Sequence, residues 1–193
     1  MKIELILLAG GDSKRFAAKS NEGGGKKLLA QFKCKPLFEY ALKAAEAFKP
    51  FGKVTVVTGE ESIRLAAQEK GFRTVCPPPP TEGIAASVRT GTAAADEDAH
   101  LCFMVCDQPY FTGEMLKDFI SAYLISGKTL GRVRCGKQMG SPTVFAPVHR
   151  QALLSAKGDE GGRSIFKSFP DDIFFFDVPE KALKDIDTAE DFE

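Results

Sequence analysis

Leu7-Leu8-Ala9-Gly10-Gly11-Asp12-Ser13-Lys14-Arg15-Phe16 closes an apolar run that begins at Ile3, and Lys26-Lys27-Leu28-Leu29 follows ten residues on. A continuous apolar run that stops on paired glycines reads as a parallel strand buried on both faces and ended by a sharp turn. Glycine tolerates positive φ and has no β-carbon, so the backbone there can approach a ligand closely. Such a turn points several backbone N–H groups at one anion, and Arg15 and Lys27 add full positive charge. The pattern points to a triphosphate, with a ligand-free strand-to-helix turn as the plainer reading. It fits neither common phosphate loop. Gly10-Gly11-Asp12-Ser13 lacks the G-x-G-x-x-G spacing, while Gly25-Lys26 has Ser20 in place of the first Walker glycine and Lys27 in place of the hydroxyl residue.

The rest of the chain supplies the frame. Its 193 residues suffice for one sizeable core and not for two ordinary domains, so a single domain over 1–193 is expected. A formal net charge of zero gives no general affinity for polyanions, which argues against nucleic acid as a partner. No apolar run is long enough to cross a bilayer, and residues 1–8 carry Glu4 within a stretch too short for a signal peptide. The five cysteines are odd in number and contain no C-x-x-C pair. Cys102 and Cys106 sit in an apolar segment as small hydrophobes, and a cytoplasmic location is expected.

Strand and helix patterns alternate. Pro36 is expected to open a helix with Leu37, Tyr40, Ala41, Ala44 and Phe48 on one face. Strands are expected over 54–58, 72–76, 101–106, 130–135, 142–145 and 173–176. Helices are expected over 63–70, 83–95, 112–123, 148–156 and 163–169. The Pro77–Pro80 tract reads as a stiff structural loop rather than a docking motif. Leu101 to Cys106 is the most apolar strand and therefore the expected sheet centre. The alternation predicts an α/β fold of three α/β/α layers around a mainly parallel mixed sheet.

In such sheets ligands collect at the carboxyl ends of strands, where Gly10-Gly11, Thr58-Gly59 and Asp107 all fall. A carboxylate after the most buried strand can hold a hard cation. Magnesium takes one or two carboxylates and completes its shell with phosphate and water. Asp187, near Asp185, supplies the second if the tail folds back; otherwise both are tail or cap residues. His100 precedes a strand and His149 begins a helix, so both are expected at the surface.

Several further segments recur in a known order: Leu8-Ala9-Gly10-Gly11-x-Ser13-x-Arg15, Lys27-Leu28-Leu29, Lys35-Pro36-Leu37, Val56-Val57-Thr58-Gly59, Glu82-Gly83-Ile84-Ala85-Ala86-Ser87-Val88-Arg89-x-Gly91, Asp107-Gln108-Pro109, Gly140-Ser141-Pro142, Gly158-Asp159-x-Gly161-x-Arg163 and Asp185-Ile186-Asp187-Thr188. As an ordered series they resemble the molybdenum cofactor nucleotidyltransferases, most closely the cytidylyltransferase branch. The resemblance implies a Rossmann-like nucleotidyltransferase fold and Mg2+-dependent transfer of CMP from CTP to the terminal phosphate of molybdopterin, releasing pyrophosphate. It implies that Leu8, Ala9, Gly10, Gly11, Ser13, Arg15, Thr58, Glu82, Gly83 and Ser87 bind nucleotide, with Lys27 neutralising the α-phosphate. Asp107, with Asp187, would bind metal. Gly140, Ser141, Pro142, Gly158, Asp159, Gly161 and Arg163 would face the pterin. A molybdoenzyme or its chaperone would receive the product. This chemistry needs no nucleophilic side chain, only positioning and charge neutralisation.

The chain departs from that branch at four places. Ala9-Gly10-Gly11 is closer to the guanylyl form, which keeps GTP as the alternative donor. Cys106 stands before Asp107 where glycine is usual, and Ser141 stands where histidine is common. The segment from Phe16 to Lys26 is long, with Ala17 for a glycine, and is either a flap over the phosphates or a surface insertion. Lys26 competes with Lys27 for the cationic role; spacing from Pro36 favours Lys27. A sugar-phosphate or methylerythritol-phosphate acceptor, and a non-catalytic nucleotide sensor or cofactor chaperone, are the other readings.

Overall fold

The strand Ile3–Leu8 (β1) is buried along its whole length because it has a parallel neighbour on each side and helices on both faces. The computed structural model describes residues 1–10, 26–78, 83–158, 162–188 and 191. After β1 come a short antiparallel pair, Gln31–Phe32 (β2) and Lys35–Pro36 (β3), then helix Phe38–Glu46 (α1). Next are strand Val54–Val57 (β4), helix Glu61–Glu69 (α2), strand Arg73–Val75 (β5), helix Gly83–Ala94 (α3) and strand His100–Val105 (β6). Helix Gly113–Ser126 (α4), strands Leu130–Cys135 (β7) and Gln138–Phe145 (β8), helices Arg150–Leu154 (α5) and Arg163–Ser168 (α6), and strand Ile173–Asp177 (β9) complete the series.

The large sheet has the order β5-β4-β1-β6-β8-β7-β9. The first four strands are mutually parallel, β8 runs against β6 and β7, and β9 is parallel to β7. The expected mainly parallel mixed sheet is therefore observed, with β6 at its centre. One apolar layer joins the sheet to α1, α2 and α4 through residues such as Leu42, Phe48, Ile63, Phe119 and Tyr123. The opposite layer joins it to α3, α5 and α6 through Val88, Leu153, Ile165 and Phe166. These are the three layers of an α/β/α fold. Because β1 lies between β4 and β6, strand order reverses beside it, and the crevice at its carboxyl end is the expected ligand position.

Local chemistry accounts for the boundaries. The Thr112 hydroxyl accepts from the Met115 backbone N–H and caps α4. That helix runs three residues past the expected end at Tyr123, to Gly127, whose φ of +68° terminates it. Pro36 does not open α1. It pairs with Gln31 in a two-residue edge strand, where its missing N–H costs nothing, and the helix begins after Leu37. Likewise β8 starts four residues earlier than the sequence suggests and carries Pro142 inside it. The β6 ladder has ended at Thr143, and the Val105 N–H turns instead to the Ser141 hydroxyl at 3.1 Å. Part of the Pro77–Pro80 tract lies outside the described residues.

The histidines correct the surface expectation. His149 is 4% exposed, and His100 is half-buried with Nδ1 2.9 Å from the Tyr123 hydroxyl. Thr129 gives its hydroxyl proton to Asp172, so its oxygen accepts from His149 Nε2–H at 2.8 Å. Cys102 and Cys106 are buried, as expected, and burial pushes both thiols far above their usual range.

Candidate active site

Three strand ends meet at the crevice. Past β1, the Ala9 N–H donates to Val57 O at 2.9 Å, which carries the backbone on to Gly10 in register with β4. A β-carbon on Gly10 would lie 3.5 Å from Ser87 Oγ, so the first turn of the site adjoins the start of α3. Beyond β4, Thr58 is buried and its hydroxyl accepts from the Glu60 N–H at 3.0 Å. Thr58 thus shapes the β4–α2 turn. Beyond β6 stands Asp107.

Lys27 lies on a single 3-10 turn, Lys27–Leu29, anchored by Leu28 and Leu29 against the core. Its ammonium donates to Asp107 Oδ2 at 2.7 Å and to Asp187 Oδ1 at 2.8 Å. The three residues are far apart in sequence and meet because the tail folds back over the end of β6. The Ile186 N–H donates to Asp107 O at 3.0 Å, and the Ile186 side chain is fully buried beside Phe32 and Leu37. Gln108 Nε2 donates to Asp185 Oδ1 at 2.8 Å and ties the tail a second time. Asp191 closes it, accepting on one carboxylate oxygen from the backbone N–H groups of Thr188 and Asp187 and from the Thr188 hydroxyl. The Thr188 backbone hydrogen bond leads in holding the Asp191 pKa down at about 2.

Burial by itself would lower the Lys27 pKa, but the Asp107 and Asp187 carboxylates outweigh it and hold the ammonium above its usual value. Asp185 is shifted upward, chiefly by burial and then by the negative charges of Asp107 and Asp187, against its Gln108 hydrogen bond. Among the described residues, one ammonium faces the two carboxylates. Asp107 Oδ1 is also buried and has no hydrogen-bond partner among the described residues. Two carboxylates with a free buried oxygen, already bridged by a cation, fit a divalent metal that draws its remaining ligands from phosphate and water. Among the described residues no cluster of three or more His, Cys, Asp or Glu offers a fuller protein cage.

The other expected residues divide in two. Lys26 points away, its ammonium 2.7 Å from Glu60, so Lys27 is the lysine that the fold brings to Asp107. Ser141 spends its hydroxyl on Val105, and Gly140 lies where a β-carbon would come within 2.4 Å of Leu183 Cδ2. Those two residues with Pro142 form the wall between β6 and the tail. Gly158 O accepts from the Ala85 N–H at 3.1 Å, which sets the second glycine loop against the start of α3 near Gly83. Arg163 opens α6 and is exposed. Gly11, Ser13, Arg15, Glu82, Asp159 and Gly161 lie outside the described residues, as does the 17–25 stretch. The Gln108–Asp185 tie is absent from the sequence reading; its only signal was a glutamine between Asp107 and a proline.

With the crevice defined, comparison with known proteins identifies its setting. Residues 5–173 match the family model described as the MobA-like NTP transferase domain. Among solved structures, Rv0371c from Mycobacterium tuberculosis H37Rv is similar at 22% identity and TM-score 0.79, covering 100% of this chain and 96% of that one. Rv0371c is also known as a complex with manganese. A nucleotidyl transferase from Methanothermobacter (Mth528) is similar at 18% identity and TM-score 0.81, covering 99% and 94%. The 4-diphosphocytidyl-2C-methyl-D-erythritol synthase of Anaerococcus prevotii is similar at 14% identity and TM-score 0.76, covering 99% and 92%. No protein of curated description matches the chain. At these identities the structures speak for the fold, and the family model carries the assignment: the chain belongs to the MobA-like NTP transferase domain family of nucleotidyltransferases.

Proposed function

We propose that this chain, as one domain over residues 1–193, transfers CMP from CTP to the terminal phosphate of molybdopterin. An oxygen of the acceptor phosphate forms a bond to the α-phosphorus, the bond from that phosphorus to the bridging β-oxygen breaks, and pyrophosphate leaves with the electron pair. The observation that carries this reading is Lys27, held by Asp107 and Asp187 at the strand-order reversal. Two anionic phosphates must approach each other, so catalysis is positioning and charge neutralisation. Lys27 would turn from the carboxylates to the α-phosphate. The turn at Leu8, Ala9, Gly10 and Gly11, with Ser13 and Arg15, would hold the triphosphate, and Glu82, Gly83 and Ser87 the nucleoside. Asp107 and Asp187 would hold Mg2+, which when bound spreads the charge of the triphosphate and its leaving pyrophosphate. The manganese complex of the similar Rv0371c supports a divalent ion in this fold. The glycine segments around Gly140 and Gly158, with Arg163, would receive the pterin.

CTP is favoured by the Glu82–Gly91 pattern and by a cytidylyl enzyme among the structural neighbours; the Ala9-Gly10-Gly11 turn favours GTP. The product would pass to a molybdoenzyme or its chaperone, and the cysteine usage supports a cytoplasmic setting. The test is pyrophosphate release from each NTP in turn with Mg2+ and molybdopterin. Release with CTP alone supports the cytidylyl assignment, release with GTP alone replaces it, and no release with any NTP refutes the reading.

A further inference from the structure

Arg132 lies on β7, between β8 and β9, and its charge is not neutralised by any described residue. Its Nε is buried without a hydrogen-bond partner among the described residues. Its guanidinium rests on the Phe166 ring, 4.9 Å from the centroid. Among the described residues no carboxylate makes an ion pair with it, and none pairs with Arg163 on α6. The other described arginines all have protein acceptors. Arg134 reaches Asp177, Arg64 reaches Glu61, Arg150 takes carbonyls at the end of α3, and Arg73 and Arg89 donate to Ala94 O and Ala156 O. Burial, and then the positive field of Arg163, press the Arg132 pKa below its usual value, so the two guanidinium groups feel each other. A buried donor with nothing to donate to is destabilising, and a neighbouring like charge adds to that. Such an arrangement is stable at lower cost when an anion sits between the two.

The register places Arg132 relative to the crevice. Arg132 is opposite Thr143 on β8, and Thr143 is opposite Phe103 on β6, with Asp107 four residues farther along the chain, just past the end of that strand. Two strand spacings across and four residues along put the backbones of Arg132 and Asp107 roughly 16 Å apart. β7 runs parallel to β6, so both approach the same edge of the sheet. Arg132 shares the α3/α5/α6 face with Phe103, Phe145 and Phe166, whereas Lys27 arrives from the β1 side. Cationic groups therefore flank the reaction centre from two sides, and only the first is spoken for by the nucleotide.

We propose that Arg132, with Arg163, binds the phosphomonoester of the acceptor and so makes the site selective for phosphorylated over neutral acceptors. This rests on the nucleotidyl-transfer reading above and adds the residue that recognises the nucleophile. A guanidinium fork on an aromatic floor offers paired N–H groups to two oxygens of one phosphate.

The test uses the full chain saturated with Mg2+ and α,β-methylene-CTP, or the GTP analogue if that is the donor, and titrates phenyl phosphate by calorimetry. Wild-type protein is expected to bind phenyl phosphate and not benzyl alcohol. Arg132→Gln should weaken phenyl phosphate at least about tenfold, and Arg132→Lys less, because it keeps the charge and loses the fork. In turnover, the KM for the acceptor should rise in Arg132→Gln while the KM for the NTP stays unchanged. Its melting temperature should hold or rise, since a desolvated unpartnered charge is removed. Unchanged phenyl phosphate binding, an effect on the nucleotide instead, or unfolding of Arg132→Gln would each overturn the proposal. Arg132-dependent phenyl phosphate binding without transfer to molybdopterin would keep this anion site and reject that acceptor.

Discussion

Replacing Lys27 by methionine isolates the ammonium from the shape of the side chain. The Lys27 side chain is 15% exposed and those of Asp107 and Asp187 are 24% and 37% exposed, so the three groups are partly desolvated. Removing one partner of a fully buried ion pair costs about 3–5 kcal/mol, because the opposite charge is left without compensation. Solvent reaches Asp187, which discounts that figure to about 2 kcal/mol. In a chain of this size that is a fall in melting temperature of about 4–8 °C. The penalty should appear in chelator and shrink in Mn2+, since a divalent ion can take both carboxylates once the ammonium is gone. Wild-type protein should gain less from Mn2+, because there the ion must displace Lys27. The assay is thermal unfolding of both proteins in EDTA and in Mn2+, with pyrophosphate release measured in parallel and expected to fall by orders of magnitude. A loss of stability that Mn2+ leaves untouched would refute the idea that ammonium and metal compete for Asp107 and Asp187.

Three smaller perturbations probe the frame. Ser141→Ala leaves the Val105 N–H without its acceptor and should lower stability by about 1–2 kcal/mol, read as a shift in the urea midpoint at unchanged slope. Gly91→Ala would place a β-carbon 2.5 Å from Ile6 Cγ2, and the overpacking should cost about 1–3 kcal/mol in the same assay. His149 is held below its usual pKa by burial, against the pull of Asp172, so the unfolded chain takes up its proton first as pH falls. Its contribution is therefore intact above about pH 6.5 and declines as pH drops toward the folded value, by at most about 1.4 kcal/mol per pH unit. Unfolding curves between pH 7.5 and 5 should flatten in His149→Asn; an unchanged pH profile would remove His149 as the titrating group.

The features legible in the sequence are those set by local pattern. A run such as Ile3–Leu8 announces a strand buried on both faces, and Thr112 followed by Glu114 announces a helix start, because each signal lies within a few residues of its effect. The misreadings share a different cause. Pro36 falls in a strand because Gln31, five residues back, offers it an edge position. His149 is buried because Thr129 accepts its proton, and Thr129 can do so only because Asp172 takes the hydroxyl proton in turn. No window on the chain contains that relay.

The site follows the same logic at longer range. Asp107 is readable as a carboxylate at a strand end, but its partnership with Lys27 and Asp187 depends on whether the tail returns. What brings it back is Ile186, a lone apolar residue between two aspartates, whose burial against Phe32 and Leu37 offsets the cost of gathering Asp185, Asp187 and Asp107 around one ammonium. Burial, and then the charges of Asp107 and Asp187, make the Asp185 carboxylate unfavourable, as its upward shift records. The apolar anchor and the acidic cluster are thus one device: hydrophobic burial supplies the free energy that holds like charges together where a cation is wanted. Substituting Ile186 with serine should therefore free the tail and weaken Mn2+ binding even though residue 186 contributes no ligand, a dependence that would not exist if Asp187 were merely a surface partner of Lys27.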